Sequence, residues 1–367
     1  MEIVNTGSTY RVYDESLKTY DKLPPQVYSI GCSSMSGFYL EKHPNLTIGE
    51  EKIYGTQMAK AEKVFRTFDK FSRSLGIILS GDKGMGKSLF AKILANMAIK
   101  RGLPVVIVDR YIDGVESFIA SIEQEAVYIF DEFEKTFSSK NRDDISPQES
   151  MLSLFDGISP GKRMFVVTCN DVVQLNNYLV NRPGRFHYHF QFKYPSSEEV
   201  REYLHDKLDP KYCKEINNVV SFANKVELNY DCLRAIAFEL NQGASFADAI
   251  GDLNILNLEW DEYDLTLHYD NGLIGRVTCQ RIDMFDDEPI KLRFRGPNGY
   301  SFAKVLFCPN QCKYNKELRK MIIPAKELSI EYIEDDPDVD EYVNQAKQSD
   351  ALYIVFNRCK NNYKYTV

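Results

Sequence analysis

The sequence lacks the features of a membrane-spanning, exported or broadly basic protein. No apolar run is long enough to cross a bilayer, so we expect no membrane contact. Acidic residues (53) outnumber basic ones (45), and the net charge of −8 argues against a broad nucleic-acid-binding surface. The first residues lack the basic and apolar regions of a signal peptide, which predicts a cytoplasmic protein.

Paired cysteines are also missing. None of the 8 cysteines belongs to a C-x-x-C pair, and without an export signal reduced thiols are expected. Cys279, Cys308, Cys312 and Cys359 lie in one region and could form a Cys₄ zinc site. The missing C-x-x-C spacing favours ordinary thiols over that site.

A strand, a glycine-rich turn and a helix start follow one another near the middle of the N-terminal half. The apolar run Leu75–Ser80 reads as a buried strand, and Leu89–Ile99 has helical apolar spacing. The turn between them fits G-x-x-x-x-G-K-[ST], whose backbone N–H groups face a phosphate at a helix N-terminus. Lys87 would reach the β- and γ-phosphates, and Ser88 would hold Mg²⁺. The predicted nucleotide-binding turn comprises Gly81, Asp82, Lys83, Gly84, Met85, Gly86, Lys87 and Ser88, followed by Leu89.

Strands and helices alternate around this turn. Further buried strands are predicted at 105–109, 126–130, 164–168 and 187–192. Five apolar strands alternating with helices predict an α/β fold, a parallel five-stranded sheet with helices on both faces. In such sheets ligands bind outside the carboxyl ends of the strands.

Polar residues stand at those strand ends. Asp131 would bind Mg²⁺, Glu132 would polarise the attacking water, and Asn170 would contact the γ-phosphate or the water. Without the phosphate turn, these residues would read as ordinary solvated groups after core strands.

Arginines are candidates for stabilising the transferred phosphoryl group. Arg182 and Arg185 flank a Pro-Gly turn and could act on a neighbouring subunit's γ-phosphate, as an arginine finger does. Arg234 lies near the start of a later helix and could sense the γ-phosphate. Surface ion pairs are the alternative for all three.

These motifs together resemble the AAA branch of the AAA+ ATPases over residues 50–253. Gly81–Ser88 resembles Walker A, Ile129–Glu132 Walker B, Thr168–Asn170 sensor 1, Asn181–Phe186 the arginine-finger box and Leu233–Ala235 sensor 2. Ile53, Tyr54 and Gly55 are placed like the family's adenine-wall residues. The layout is similar to that of small bacteriophage AAA ATPases. The resemblance implies ATP and Mg²⁺ as cofactors, a helical lid and a homo-oligomeric, usually hexameric, ring.

We expect four regions. These are an N-terminal extension (1–50), the α/β nucleotide-binding domain (51–194), the helical lid (195–253) and a β-rich C-terminal domain (254–367). The extension either packs on the nucleotide domain or binds substrate or a partner.

The predicted function is ATP-driven remodelling, unfolding or disassembly of a protein or protein complex. Tyr111 and Ile112 occupy the place of the family's pore loop, although a tyrosine packed beneath the next helix fits equally. A nucleic-acid-associated ATPase, such as a replication loader or helicase accessory, is the second hypothesis. Its basic-loop candidates are 140–142 and 162–163. A nucleotide-dependent scaffold that does not hydrolyse ATP is the third.

Overall fold

A computed structural model gives the structure of the protein. It describes residues 2–5, 7, 10–14, 17–49, 52–138, 146–157, 160–255, 262–315, 317–333 and 340–359. The chain divides into two compact units, Met1–Tyr194 and Pro195–Val367. No helix in the described ranges combines the length and apolar character needed to cross a bilayer.

The first unit contains nine strands among its described residues. They are β1 (Glu2–Asn5), β2 (Tyr10–Tyr13), β3 (Val27–Ser33), β4 (Gly37–Lys42), β5 (Leu75–Ser80), β6 (Val105–Val108), β7 (Ala126–Phe130), β8 (Arg163–Cys169) and β9 (Phe186–Gln191). β1 and β2 form an antiparallel hairpin. The others form a seven-stranded sheet in the order β4-β3-β6-β7-β8-β5-β9.

The five-stranded sheet predicted from the sequence is therefore too small. Its five strands are present and parallel. The extension adds β3, which pairs parallel to β6 with Val27 opposite Val105, and β4, which pairs antiparallel to β3. Val27, Tyr28 and Ile30 of β3 are buried, so burial of these side chains holds the added strand.

Helices cover both faces of this sheet, as the alternation of elements predicts. They are α1 (Gln57–Lys70), α2 (Lys87–Lys100), α3 (Val115–Ser121), α4 (Phe133–Thr136), α5 (Pro147–Ser150) and α6 (Leu152–Phe155). α1 buries Ala61, Val64, Phe65 and Phe68, which share one helix face. Successive strand residues point to opposite faces: Ile77 packs with α1 and α2, whereas Ile78 packs with α3 and α6.

The second unit begins with helices. They are α7 (Ser197–Lys207), α8 (Ile216–Ala223), α9 (Tyr230–Gln242) and α10 (Phe246–Asp252), and a 3₁₀ turn (Pro210–Glu215) precedes α8. α7 begins with a capping box, in which the Ser196 side chain accepts from the Glu199 N–H and the Glu199 side chain accepts from the Ser196 N–H.

An eight-stranded antiparallel sheet follows within the same unit. Its strands are β10 (Glu262–Tyr269), β11 (Ile274–Arg281), β12 (Ile290–Arg295), β13 (Ser301–Phe307), β14 (Lys313–Asn315), β15 (Lys320–Pro324), β16 (Ser329–Tyr332) and β17 (Ala351–Arg358), with α11 (Asp340–Lys347) before β17. The sheet order is β14-β15-β17-β10-β11-β12-β13-β16. Alternate residues of β10 are buried, so one face of that strand packs on the core.

Candidate active site

The glycine-rich turn joins β5 to α2, as the sequence predicts. Gly84 and Gly86 adopt φ values of 76° and 90°, a left-handed conformation that glycine reaches without strain. Gly86 is the N-cap of α2, so the first N–H groups of that helix lack intrahelical partners and can face an anion. Met85 is buried, whereas Asp82, Lys83 and Ser88 are exposed.

Lys87 is the buried cation of this turn, at 7% exposure. Its Nζ donates to the Asp82 carbonyl at 2.8 Å, to the Gly81 carbonyl, and to Asn170 Oδ1 at 3.0 Å. Burial lowers the Lys87 pKa, partly offset by nearby acidic groups that include Asp82. Backbone carbonyls thus accept hydrogen bonds from the Lys87 ammonium. Charged phosphate oxygens would form stronger hydrogen bonds with it than these carbonyls do.

Thr168 ties the ends of β7 and β8 together. Its hydroxyl donates to Asp131 Oδ1 at 2.6 Å and accepts from the backbone N–H of Glu132 at 2.9 Å. Thr168 is 1% exposed, so its rotamer is fixed by packing. Thr168 was predicted only as part of the sensor 1 motif, and its two hydrogen bonds also orient Asp131 and Glu132.

Glu132 adopts a left-handed backbone with φ of 45°, which is strained for a residue with a side chain. Its Oε1 accepts from Lys135 Nζ at 2.8 Å and from Asn170 Nδ2 at 3.4 Å. The Lys135 hydrogen bond, and secondarily that of Asn170, lowers the Glu132 pKa. The carboxylate is therefore ionised at neutral pH, as a general base requires.

Glu134 is a buried carboxylate that the sequence reading missed. It is 4% exposed, and its Oε1 accepts both the backbone N–H and the side-chain N–H of Asn170, each at 2.9 Å. Its Oε2 has no hydrogen-bond partner among the described residues. Glu134 fixes Asn170 so that the amide oxygen faces Lys87. Its position could have drawn attention to it, because Glu134 lies two residues after Glu132, in the short helix α4.

Ser88 and Asp131 supply oxygen donors of the kind that Mg²⁺ prefers. Ser88 lies in the first turn of α2, and Asp131 follows β7 with its side chain reached by solvent. The bond from Thr168 uses one oxygen of Asp131, and the other stays available to a metal or a metal-bound water. These residues fit a magnesium ion shared with the nucleotide phosphates.

The two candidate finger arginines have different surroundings. Arg185 forms a two-bond ion pair with Asp156, at 2.7 Å between Nη2 and Oδ2, and donates to the Tyr178 carbonyl at 2.6 Å. Its side chain is only 12% exposed. Arg182 is exposed, with its guanidinium 5.4 Å from the ring centre of Tyr178. Arg185 therefore anchors the turn within its own chain, whereas Arg182 faces solvent.

The predicted adenine wall lies in the same unit. Tyr54 is buried, Ile53 packs against the α1–α2 core, and Gly55 has φ of 71°. Gln57, at the start of α1, has its Nε2 3.2 Å from the position of a Cβ placed on Gly86. The Gln57 side chain thus lies next to Gly86 of the phosphate turn. Contact of Ile53, Tyr54 and Gly55 with adenine stays a prediction.

Tyr111 lies packed in the structure. Its ring makes an edge contact with Phe137 at 5.6 Å, and its hydroxyl shares a hydrogen bond with Ser150 Oγ at 3.2 Å. Ile112 is half-buried. The tyrosine is thus packed against Phe137 and Ser150, two residues outside the next helix, α3. The pore-loop role of both residues stays a prediction. Arg234, in the second unit, pairs with Asp231 of its own helix at 3.3 Å, and its contact with phosphate also stays a prediction.

The basic pair at 162–163 does not form an exposed loop. Arg163 is fully buried, and its guanidinium donates to the carbonyls of Gly161, Ala120 and Ile122. Lys162 lies 4.2 Å from the ring centre of Phe68. These two residues are therefore structural. The other candidate run, 140–142, lies outside the described residues.

The fold and site define a P-loop nucleotide-binding domain of the α/β class. Residues 77–194 match the sequence model of the ATPase family associated with various cellular activities (AAA). An ATPase family AAA domain-containing protein of Arabidopsis thaliana is 26% identical over 147 residues. That match covers 35% of this chain and 12% of the plant protein.

Proposed function

We propose that the protein is a magnesium-dependent ATPase. The observation that carries this is Asn170, whose amide donates to Glu132 while its oxygen accepts from Lys87. One side chain thus joins the phosphate-binding lysine to the general base. ATP would lie on the glycine-rich turn, with Mg²⁺ held by Ser88 and Asp131. Bound Mg²⁺ would offset the charge that develops on the phosphate oxygens.

Hydrolysis requires the attacking water to lose a proton. Glu132 is ionised and accepts from Asn170, so a water between the two groups would be oriented by the amide and deprotonated by the carboxylate. Lys135 donates to the same carboxylate, at Oε1, and so lies beside the proposed position of the water.

Arg182 is proposed to act on the ATP of a neighbouring subunit. Arg182 is exposed, and Arg185, three residues later, anchors the same turn through Asp156. The Arg182 guanidinium therefore faces solvent from an anchored turn. A ring of copies, hexameric by family resemblance, would place this guanidinium at the next site. ATP-driven remodelling, unfolding or disassembly of a protein is the activity that such a ring supports best.

The first experiment measures phosphate release from ATP and Mg²⁺. Glu132→Gln should lower kcat by about 10²–10⁴-fold, the usual contribution of a general base, and should leave ATP affinity nearly unchanged. Glu149→Gln is the control, because Glu149 is an exposed carboxylate on α5. Turnover by Glu132→Gln at the wild-type rate would remove the proposed base. Absence of turnover in the wild type, with ATP bound, would favour the non-hydrolysing scaffold.

The second experiment tests action between subunits by mixing two inactive variants. Arg182→Ala keeps Glu132 but lacks the finger, whereas Glu132→Gln keeps the finger. In mixed assemblies a Glu132→Gln subunit supplies Arg182 to a neighbour with an intact base, so part of the activity should return. No recovery at any mixing ratio, with mixed assemblies verified by light scattering, would contradict action between subunits.

Substrate class is tested with the ATP-bound Glu132→Gln protein. We expect it to retain a protein partner that the wild type releases on hydrolysis. Turnover stimulated several-fold by single-stranded or duplex DNA, and not by the captured protein, would favour the nucleic-acid hypothesis instead.

A further inference from the structure

Two cysteines far apart in sequence meet a carboxylate on the C-terminal sheet. Cys279 belongs to β11, Asp264 to the adjacent β10, and Cys359 follows β17 on the other side of β10. Their Sγ and carboxylate oxygen atoms all lie within 4.8 Å of one another. Two adjacent strands and the residue that follows a third thus each contribute one potential metal ligand.

The strand register explains how these groups meet. Tyr263 faces Arg358 on one side and Gln280 on the other, while Leu265 faces Val277. Asp264 therefore stands opposite two β11 residues, Thr278 and Cys279, which is a β-bulge. The bulge brings Cys279 onto Asp264, and the Cys279 N–H donates to Asp264 Oδ1 at 3.0 Å.

The backbone of Cys359 is fixed against the same strand. Its N–H donates to the Glu262 carbonyl at 2.7 Å. Asp264 is partly exposed on the face of β10 opposite the buried Tyr263 and Leu265, so an ion can reach it from solvent. A carboxylate oxygen accepts more than one bond, so the Cys279 N–H and a metal can share this group.

We propose that Cys279, Cys359 and Asp264 bind a borderline-soft divalent cation, Zn²⁺ being the best fit. Two thiolates and one carboxylate match its ligand preference. In a tetrahedral site with Zn–S bonds of about 2.3 Å, two sulfurs lie roughly 3.8 Å apart. The observed cluster therefore needs at most small side-chain movements to close on an ion. The fourth position is left for water or another donor.

This is not the Cys₄ site considered from the sequence. Cys312 is fully buried, and among the described residues neither it nor Cys308 belongs to the cluster. Asp264 takes part instead. A bound ion would join β11, β10 and the end of β17, and so act as a clamp independent of ATP hydrolysis.

The test is a zinc titration of the full-length, reduced and chelator-treated protein against a chromophoric chelator. We expect one tight site per chain. Cys279→Ser and Cys359→Ser should each weaken it at least about 10-fold, the smallest effect seen even for outer-shell partners. Cys308→Ser is the matched control and should bind as the wild type does. Co²⁺ should give a thiolate-to-metal charge-transfer band that either cluster variant loses.

Asp264→Asn keeps both thiols, so it tests the site even if the cysteine variants misfold. It should also weaken zinc binding at least about 10-fold while retaining the wild-type circular dichroism spectrum. Three results would overturn the proposal. They are less than one zinc per wild-type chain, unchanged affinity in the double cysteine variant, or a Cys279–Cys359 disulfide that forms equally fast with and without zinc.

Discussion

Replacing Glu134 should slow hydrolysis without preventing nucleotide binding. Glu134 is buried and accepts two hydrogen bonds from Asn170. Hydrogen bonds to charged groups contribute about 1.5–3 kcal/mol each, so Glu134→Ala removes roughly 3–6 kcal/mol of local restraint on Asn170. Misplacement of a catalytic group by about 1 Å can cost roughly 100-fold in rate. We therefore expect kcat to fall about 10–100-fold.

Glu134→Gln should be milder, because a glutamine oxygen still accepts from Asn170 without the added strength of a charge. Steady-state phosphate release gives kcat, and binding of a fluorescent ATP analogue gives Kd. We expect Kd to change less than kcat, since Lys87 keeps its bonds to the backbone of the phosphate turn. Glu149→Gln controls for loss of an acidic charge. A fully folded Glu134→Ala protein with wild-type kcat would refute the reasoning.

Three further substitutions test other parts of the structure. Arg163→Ala should lower the free energy of unfolding by about 3 kcal/mol or more in urea titrations, because it leaves buried carbonyl oxygens unpaired; an unchanged midpoint would contradict this structural role. Asp156→Asn should destabilise the protein at neutral pH but not in strong acid. Arg185 lowers the Asp156 pKa, so the ion pair stabilises the fold above the ordinary value of about 4 and is lost as pH falls through the lowered pKa. A difference in stability that persists in acid would contradict this. Phe133→Ala should cost about 3–5 kcal/mol, because Phe133 is fully buried and stacks on Phe137 at 4.4 Å; calorimetry measures the loss.

Local patterns were sufficient to predict the centre of the first unit. The strand Leu75–Ser80 is apolar up to its last residue and buried throughout, so its sequence predicted a central parallel strand correctly. Lys87, Glu132 and Asn170 were predicted from their places at strand ends, and the structure brings them within hydrogen-bonding distance of one another or of a shared partner.

Features that depend on distant partners escaped prediction. Asp156 and Arg185 are 29 positions apart, and the residues around either one do not predict their ion pair. Arg163 was predicted only as part of a candidate basic loop. Arginine is seldom buried, but here backbone carbonyls accept hydrogen bonds from its guanidinium inside the protein. The β3 segment contains Tyr, Ser and Gly, so its composition did not predict an inner strand of the sheet. Its place is decided by pairing with β6, a tertiary contact.

The strands added by residues 27–42 determine how short this domain can be made. In the native sheet β3 covers the hydrogen-bonding groups of β6, whose side chains are Val105, Val106, Ile107 and Val108. A chain trimmed to the family-matched segment 77–194 would leave that wholly aliphatic strand open to pairing with other molecules. The outermost position is instead held by β4, which carries Glu41 and Lys42. Residues 27–42 thus cover the edge of β6 against non-specific strand pairing, and a chain trimmed to 77–194 should aggregate more readily than the longer one.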